Sequence, residues 1–286
     1  MISKNEILDL FKKEDSICQI NFEKILDDRL FHGFGNGFFL KLDNEEIKDI
    51  PFNRCLITNN HILNEENIKN GRRIKIIYRK KEKIIEITGN RRVFTNKELD
   101  YTLIEILDKD KIDHFFHINK KALNELEIFK DREVFILSFK RGYDDLYYSS
   151  GKILSIKNDD IFHNCETLIS GSPIIDRYDN LSILGLHYGS IQKDRKILYK
   201  KGTTISSIIR DIKDKLPIIT SFNYTEKYKD LEIIGKGNFG TVYKGKIKDK
   251  TDKDNYIAIK VINKDEQKNR LRTVFNKNNI EDEFNL

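Results

Sequence analysis

The chain has 286 residues, of which 38% are hydrophobic and 10% aromatic, enough for a packed core and too much for disorder throughout. The net charge of +6 is not concentrated: 14 basic and 11 acidic residues fall within Tyr224–Leu286, so each part of the chain carries half of the excess and neither implies a nucleic-acid-binding face. Cys18, Cys55 and Cys165 form no C-x-x-C pair, no apolar run approaches the ~18 residues of a membrane span, and the N-terminus lacks an apolar signal region, so the expectation is a cytoplasmic protein with no zinc site, disulfide framework or membrane partner.

Residues Ile2 to Phe22 place Ile7, Leu8, Leu10 and Phe11 among charges at a helical, amphipathic spacing. From about Ile25 the texture changes to short apolar runs divided by Gly, Asn and Asp. These are Gly37–Leu42, Arg54–Thr58, Arg73–Tyr78, Lys83–Thr88, Tyr101–Ile106, Glu133–Ser138, Lys152–Ile156 and Ser182–His187. Runs of this length and composition predict strands, and so many at this spacing predict an all-β barrel or sandwich. Ile205, Ile208, Ile209 and Ile212 share one face of a helix predicted over Thr204–Leu216, which Pro217 ends. A connector follows over Ile218–Thr225, and a second strand-rich segment begins near Tyr228.

Three polar residues stand where acyl-transfer chemistry would want them. His61 is expected to end the strand that begins at Cys55, where a general base can be held rigidly. Asp100 directly precedes the run from Tyr101 and is placed to fix a histidine tautomer. Ser170 lies in a Ser-Gly-Ser-Pro turn that can present its hydroxyl. Together with Gly35-Asn-Gly-Phe-Phe39, these blocks, in the order His, Asp, Ser, resemble trypsin-like (chymotrypsin-fold) serine peptidases over about residues 25 to 215. The resemblance implies His61 as base, Asp100 as its orienting partner, Ser170 as nucleophile and a peptide or protein substrate. It also implies that Leu184-Gly-Leu-His-Tyr-Gly189 lines the specificity pocket, and similarity to glutamyl endopeptidases of the staphylococcal type would give His187 and Thr167 an acidic substrate side chain to bind. The sequence departs from the family at Leu168, where the residue two before the nucleophile is usually the glycine of the oxyanion turn. Loss of one oxyanion donor costs about 10²–10³ in rate, which leaves open a peptidase and a non-catalytic sensor. Cys165 is a rival nucleophile, but Asn-Cys-Glu-Thr lacks the glycine turn and reads as buried.

At the other end, Gly235, Gly237 and Gly240 have G-x-G-x-x-G spacing within Ile234-Gly-Lys-Gly-Asn-Phe-Gly-Thr-Val-Tyr243, and Tyr256-Ile-Ala-Ile-Lys-Val261 follows. The glycines precede the strand-like Thr241–Ile247 rather than a helix, so they join two strands, unlike those of a dinucleotide fold. Ile234, the three glycines, Val242, Ala258 and Lys260 resemble the start of a eukaryotic protein kinase and imply ATP contact. Glycines admit backbone N–H groups to phosphate, Phe239 shields it, Val242 covers the adenine and Lys260 meets the α- and β-phosphates. Glu281 or Glu283 is placed to pair with Lys260. No His-Arg-Asp or Asp-Phe-Gly occurs, so the protein ligands of a magnesium ion and the catalytic aspartate are not in this chain and phosphoryl transfer is not expected of it.

The expectation is a mainly β protein with two antiparallel β-barrels of the trypsin-like type plus a partial kinase small-lobe sheet. Its parts are an amphipathic helix over 1–22, a double barrel over 23–217, a linker over 218–227 and a partial kinase lobe over 228–286. The leading function is an ATP-binding kinase fragment fused to a peptidase domain. The alternatives are a non-catalytic sensor that regulates a full-length kinase, or an active serine endopeptidase.

Overall fold

The computed structural model describes residues 3–26, 29–43, 45–140, 145–166, 169–193, 196–216, 228–237, 240–247, 256–261 and 274–275. The chain divides into two compact units, Met1–Leu216 and Pro217–Leu286.

The first unit opens with helix α1 (Lys4–Phe11), whose start is fixed by a capping box between Ser3 and Glu6. The helix expected over 1–22 is thus confined to its first half, and the barrel domain begins before residue 23. Residues Ile17–Leu26 form strand β1, because Ile17, Cys18 and Ile20 are buried by pairing with β2 (Arg29–Lys41) and this outweighs the helical spacing upstream. The sheet continues with β3 (Arg54–Thr58), β4 (Arg73–Tyr78), β5 (Lys81–Glu86), β6 (Val93–Asn96) and β7 (Tyr101–Glu105), in the order β5-β4-β1-β2-β3-β7-β6. A short strand, β8 (Phe116–His117), pairs in parallel with β2. This sheet curls but its ladder stays open between β5 and β6.

The second half of the unit contains β9 (Glu133–Phe139), β10 (Leu146–Lys157), β11 (Asp160–His163), β12 (Pro173–Asp176), β13 (Ile183–Lys193) and β14 (Lys196–Thr204). They close into a six-stranded barrel ordered β10-β11-β14-β13-β12-β9. Helix α2 (Ile205–Lys215) follows, capped by Thr204, whose side chain accepts from Ser207 N, and it buries Ile205, Ile208, Ile209 and Ile212 as the spacing predicts.

Strands β3 and β7 and residues 35–40 of β2 are buried without alternation because both of their faces are covered, whereas β4 and β5 alternate with exposed residues. Phe38, Leu40, Cys55, Ile57 and Leu103 pack into the large core shared with the closed barrel. The intervening Phe39, Leu56 and Ile104 pack into a second core with Ile62, Ile74, Ile76 and Ile85. Period-two alternation therefore sorts the residues between two cores rather than between core and water.

The second unit is a sheet of β15 (Tyr228–Gly237), β16 (Gly240–Ile247), β17 (Tyr256–Val261) and β18 (Val274–Phe275), with neighbours antiparallel in that order.

Candidate active site

The site is assembled where strand ends of the first sheet meet a turn of the closed barrel. Strand β3 stops at Thr58, and Ile62 and Leu63 both donate backbone N–H to Asn59 O (3.2 and 3.1 Å), winding the chain into a tight turn. His61 rides on this turn, three residues past the strand rather than at its end. Asp100 sits just before β7 with φ +48°, a left-handed conformation that Asp tolerates better than most residues. That backbone aims its carboxylate at His61 twice: Oδ1 accepts the His61 backbone N–H (3.0 Å) and Oδ2 pairs with Nδ1 (2.7 Å). Asn59 Nδ2 donates to the Asp100 carbonyl (2.9 Å), and Thr203 Oγ1 donates to Leu99 O (2.7 Å), so the first sheet and the closed barrel both hold the Asp100 turn. With the Nδ1 proton committed to Asp100, the imidazole lone pair lies on Nε2, as a general base requires.

Ser170 begins a turn in which Gly171 has φ +85°. A Cβ on Gly171 would lie 1.8 Å from Asn36 O, so this position admits glycine alone. Asn36, fully buried on β2, ties the turn down. Its N–H donates to Ser170 O (2.9 Å), its Nδ2 donates to Ser172 Oγ (3.1 Å) and Phe139 O (3.4 Å), its Oδ1 accepts from Phe139 N (3.2 Å), and its carbonyl accepts from Thr58 Oγ1 (2.7 Å). On the other side, Gly171 N donates to His187 O (3.0 Å) and His187 N to Ser172 O (2.9 Å). The Ser170 hydroxyl donates to Tyr188 O at 3.1 Å. His61 and Asp100 are thus in direct contact, and Ser170 is delivered to the same junction through Asn36 and Thr58. In the sequence, Gly35-Asn-Gly37 stands out only as part of the family resemblance; the clamp reaches Phe139 and Ser172, 103 and 136 residues away along the chain.

Strand β13 runs past the serine and carries His187, as the resemblance implies. His187 is 1% exposed, and its Nδ1 meets Nε2 of His163, itself 0% exposed, at 3.2 Å. Burial first, and the nearby Lys200 ammonium second, hold His163 down to about 4. His187 is held down to about 3 by burial, then by His163 and Lys200. Both rings are neutral at neutral pH. Cys165 N donates to His163 Nδ1 (3.3 Å), which leaves the His163 proton on Nε2 and directed at His187 Nδ1. Cys165 is itself buried, its thiol pushed up to about 12, and is not a thiolate nucleophile. Thr167 and Leu168 lie outside the described residues.

In the second unit, Gly237 pairs with Gly240 at the tip of the β15–β16 hairpin and Gly235 pairs with Val242. Val242 is in turn the register partner of Lys260, and Ala258 lies two residues before Lys260 on β17. The glycines therefore join strands, not a strand to a helix. Phe239, Glu281 and Glu283 lie outside the described residues.

Residues 228–285 match the family described as protein tyrosine and serine/threonine kinase. Among solved structures, the chain is similar to the Rv3671c protease from M. tuberculosis in its active form, with 13% identity, 72% of this chain and 82% of that one covered, and a TM-score of 0.51. It is also similar to the serine protease of a human pathogenic astrovirus, with 15% identity, 68% and 91% covered, and a TM-score of 0.44. No curated protein matches the chain. The first unit has the fold of trypsin-like serine proteases, a closed barrel beside an open sheet, and residues 228–285 are similar to protein kinases.

Proposed function

We propose that the first unit is a serine endopeptidase. The observation that carries this reading is the two-point contact of Asp100 with the His61 ring and backbone, a geometry that fixes a histidine as a general base needs. As Ser170 Oγ attacks a peptide carbonyl, its proton passes to His61 Nε2, the hydroxyl having turned from Tyr188 O. Asp100 stays ionised and stabilises the imidazolium. Collapse of the tetrahedral intermediate breaks the C–N bond, and His61 returns the proton to the leaving amine. Water then attacks the acyl-serine by the same proton route. A fluorophosphonate probe is expected to label the full chain at Ser170 and to leave Ser170→Ala unlabelled. An unlabelled native chain would place the unit among non-catalytic sensors.

The second unit we read as a nucleotide-contacting segment, on the strength of the kinase family match and the Val242–Lys260 register. ATP would supply the phosphates that Lys260 meets. A fluorescent ATP analogue should bind the full chain, and Lys260→Met should weaken that binding by about tenfold or more.

A further inference from the structure

Asp100 is the last residue of the loop 97–100, which joins β6 to β7 and is closed by the register pair Asn96 and Tyr101. Its backbone, at φ +48°, is strained for a residue with a Cβ, and such a conformation persists where the surroundings over-determine it. Thr203 and Asn59 grip the loop from within, at Leu99 O and Asp100 O. A third grip takes both ends of the loop at once and comes from one carboxylate on α2.

Asp211 Oδ1 accepts from Asn96 Nδ2 (2.9 Å) and Oδ2 from Tyr101 OH (2.5 Å), so its two oxygens bridge the pair that closes the hairpin. Asn96 carries the hold into the loop, its Oδ1 accepting from Glu98 N (2.9 Å) and Leu99 N (3.1 Å). Lys215, one turn along α2, donates to the same Oδ2 (2.6 Å) and to Thr95 O (2.8 Å). Burial works to raise the Asp211 carboxyl, but the bonds from Lys215, Tyr101 and Asn96 outweigh it and hold the group below its ordinary value, so it is ionised at neutral pH. The bonds to the hairpin are therefore charge-assisted. Tyr101 is 0% exposed, and a buried hydroxyl that loses its acceptor is costly to leave in place. The isoleucines of α2 lie in the core shared with the closed barrel, so Asp211 stands on a fixed support. Tyr101 directly follows Asp100, so a displaced phenol shifts the peptide that aims the Asp100 carboxylate.

We infer that Asp211 is a positioning residue for the pair of His61 and Asp100: acting through Tyr101 and Asn96, it holds the Asp100 carboxylate on the His61 ring. The inference rests on the reading of Ser170 as nucleophile and His61 as its base, and Asp211 itself touches no reacting atom.

The test uses the full chain. Tyr101→Phe keeps the buried ring and removes only the hydroxyl, and Asp211→Asn turns an amide N–H on one of the two donors. Each is expected to slow acylation of Ser170 by the fluorophosphonate about 10–100-fold, after correction for the folded fraction in urea unfolding. In an Asp100→Asn background the carboxylate to be positioned is already gone, so adding Tyr101→Phe should change the rate by less than about twofold. A general structural role would slow both backgrounds by the same factor. Unchanged acylation, or equal slowing in the two backgrounds, overturns the inference. If the fluorophosphonate does not label the native chain, the nucleophile reading fails separately. The positioning is then read from the nitrogen-15 shifts of the His61 ring, which report its tautomer. A native ring with its proton on Nδ1 that becomes a mixture in Tyr101→Phe and Asp211→Asn supports the inference. A native ring without that proton, or a tautomer that both variants leave unchanged, sinks it.

Discussion

His61 and His187 occupy the same unit, within reach of the same serine turn, and carry opposite partners. The His61 side chain is 44% exposed and its Nδ1 meets a carboxylate. His187 is 1% exposed and its Nδ1 meets another imidazole, beside an ammonium. The first environment gives the ring an acceptor at Nδ1, which fixes the orientation a general base needs. The second opposes protonation three times over, by burial and by two basic neighbours. The side chain is the same, and its surroundings decide whether it moves protons or holds a fixed hydrogen-bonding pattern.

Breaking the His61 pair should produce the largest effect. Asp100→Asn keeps a residue that tolerates φ +48° but offers an amide where the carboxylate met Nδ1. We expect acylation of Ser170 by the fluorophosphonate to slow by about 10³–10⁴-fold with an unchanged circular dichroism spectrum. A loss below tenfold would contradict the assignment of the base.

Gly171→Ala tests the turn between the two histidines. Its Cβ would fall on Asn36 O, at a φ that alanine avoids, so the turn or the clamp must move. A stability loss of more than about 3 kcal/mol in urea unfolding is expected. Asn36→Ala leaves the backbone in place but strips the partners of Phe139 and Ser172, and should cost about 2–4 kcal/mol. If Ser170 labelling then slows no more than the folded fraction falls, Asn36 is structural alone.

The smallest effect sharpens the second pair. His163 and His187 titrate at about 4 and about 3 in the fold, below the ordinary histidine value near 6.5. Between those values the unfolded chain binds more protons than the folded one, so stability rises with pH and is lost on acidification. The urea midpoint should fall progressively from pH 6.5 to pH 5, above the main range of carboxylate protonation. A flat profile would show that the rings are not held neutral.

Much of this architecture was legible in the amino-acid order. The runs at Arg54–Thr58 and Arg73–Tyr78 are strands with those bounds, and the isoleucine spacing after Thr204 marks α2. These segments have strong local preferences that packing reinforces. Ile17–Phe22 reads as a continuation of the preceding helix because its strand form depends on β2, a partner that local spacing does not display. His61, Asp100 and Ser170 could be picked out by their contexts, as could the glycine order of the C-terminal segment. The paired contact of Asp100 with His61, the clamp made by Asn36 and the meeting of His163, His187 and Lys200 were not visible. Each joins residues distant in sequence through strand register, and register is set by which faces the two cores bury. Residue types and their order thus determined the chemistry available to this protein, while tertiary structure decided which histidine faces a carboxylate and which faces another imidazole.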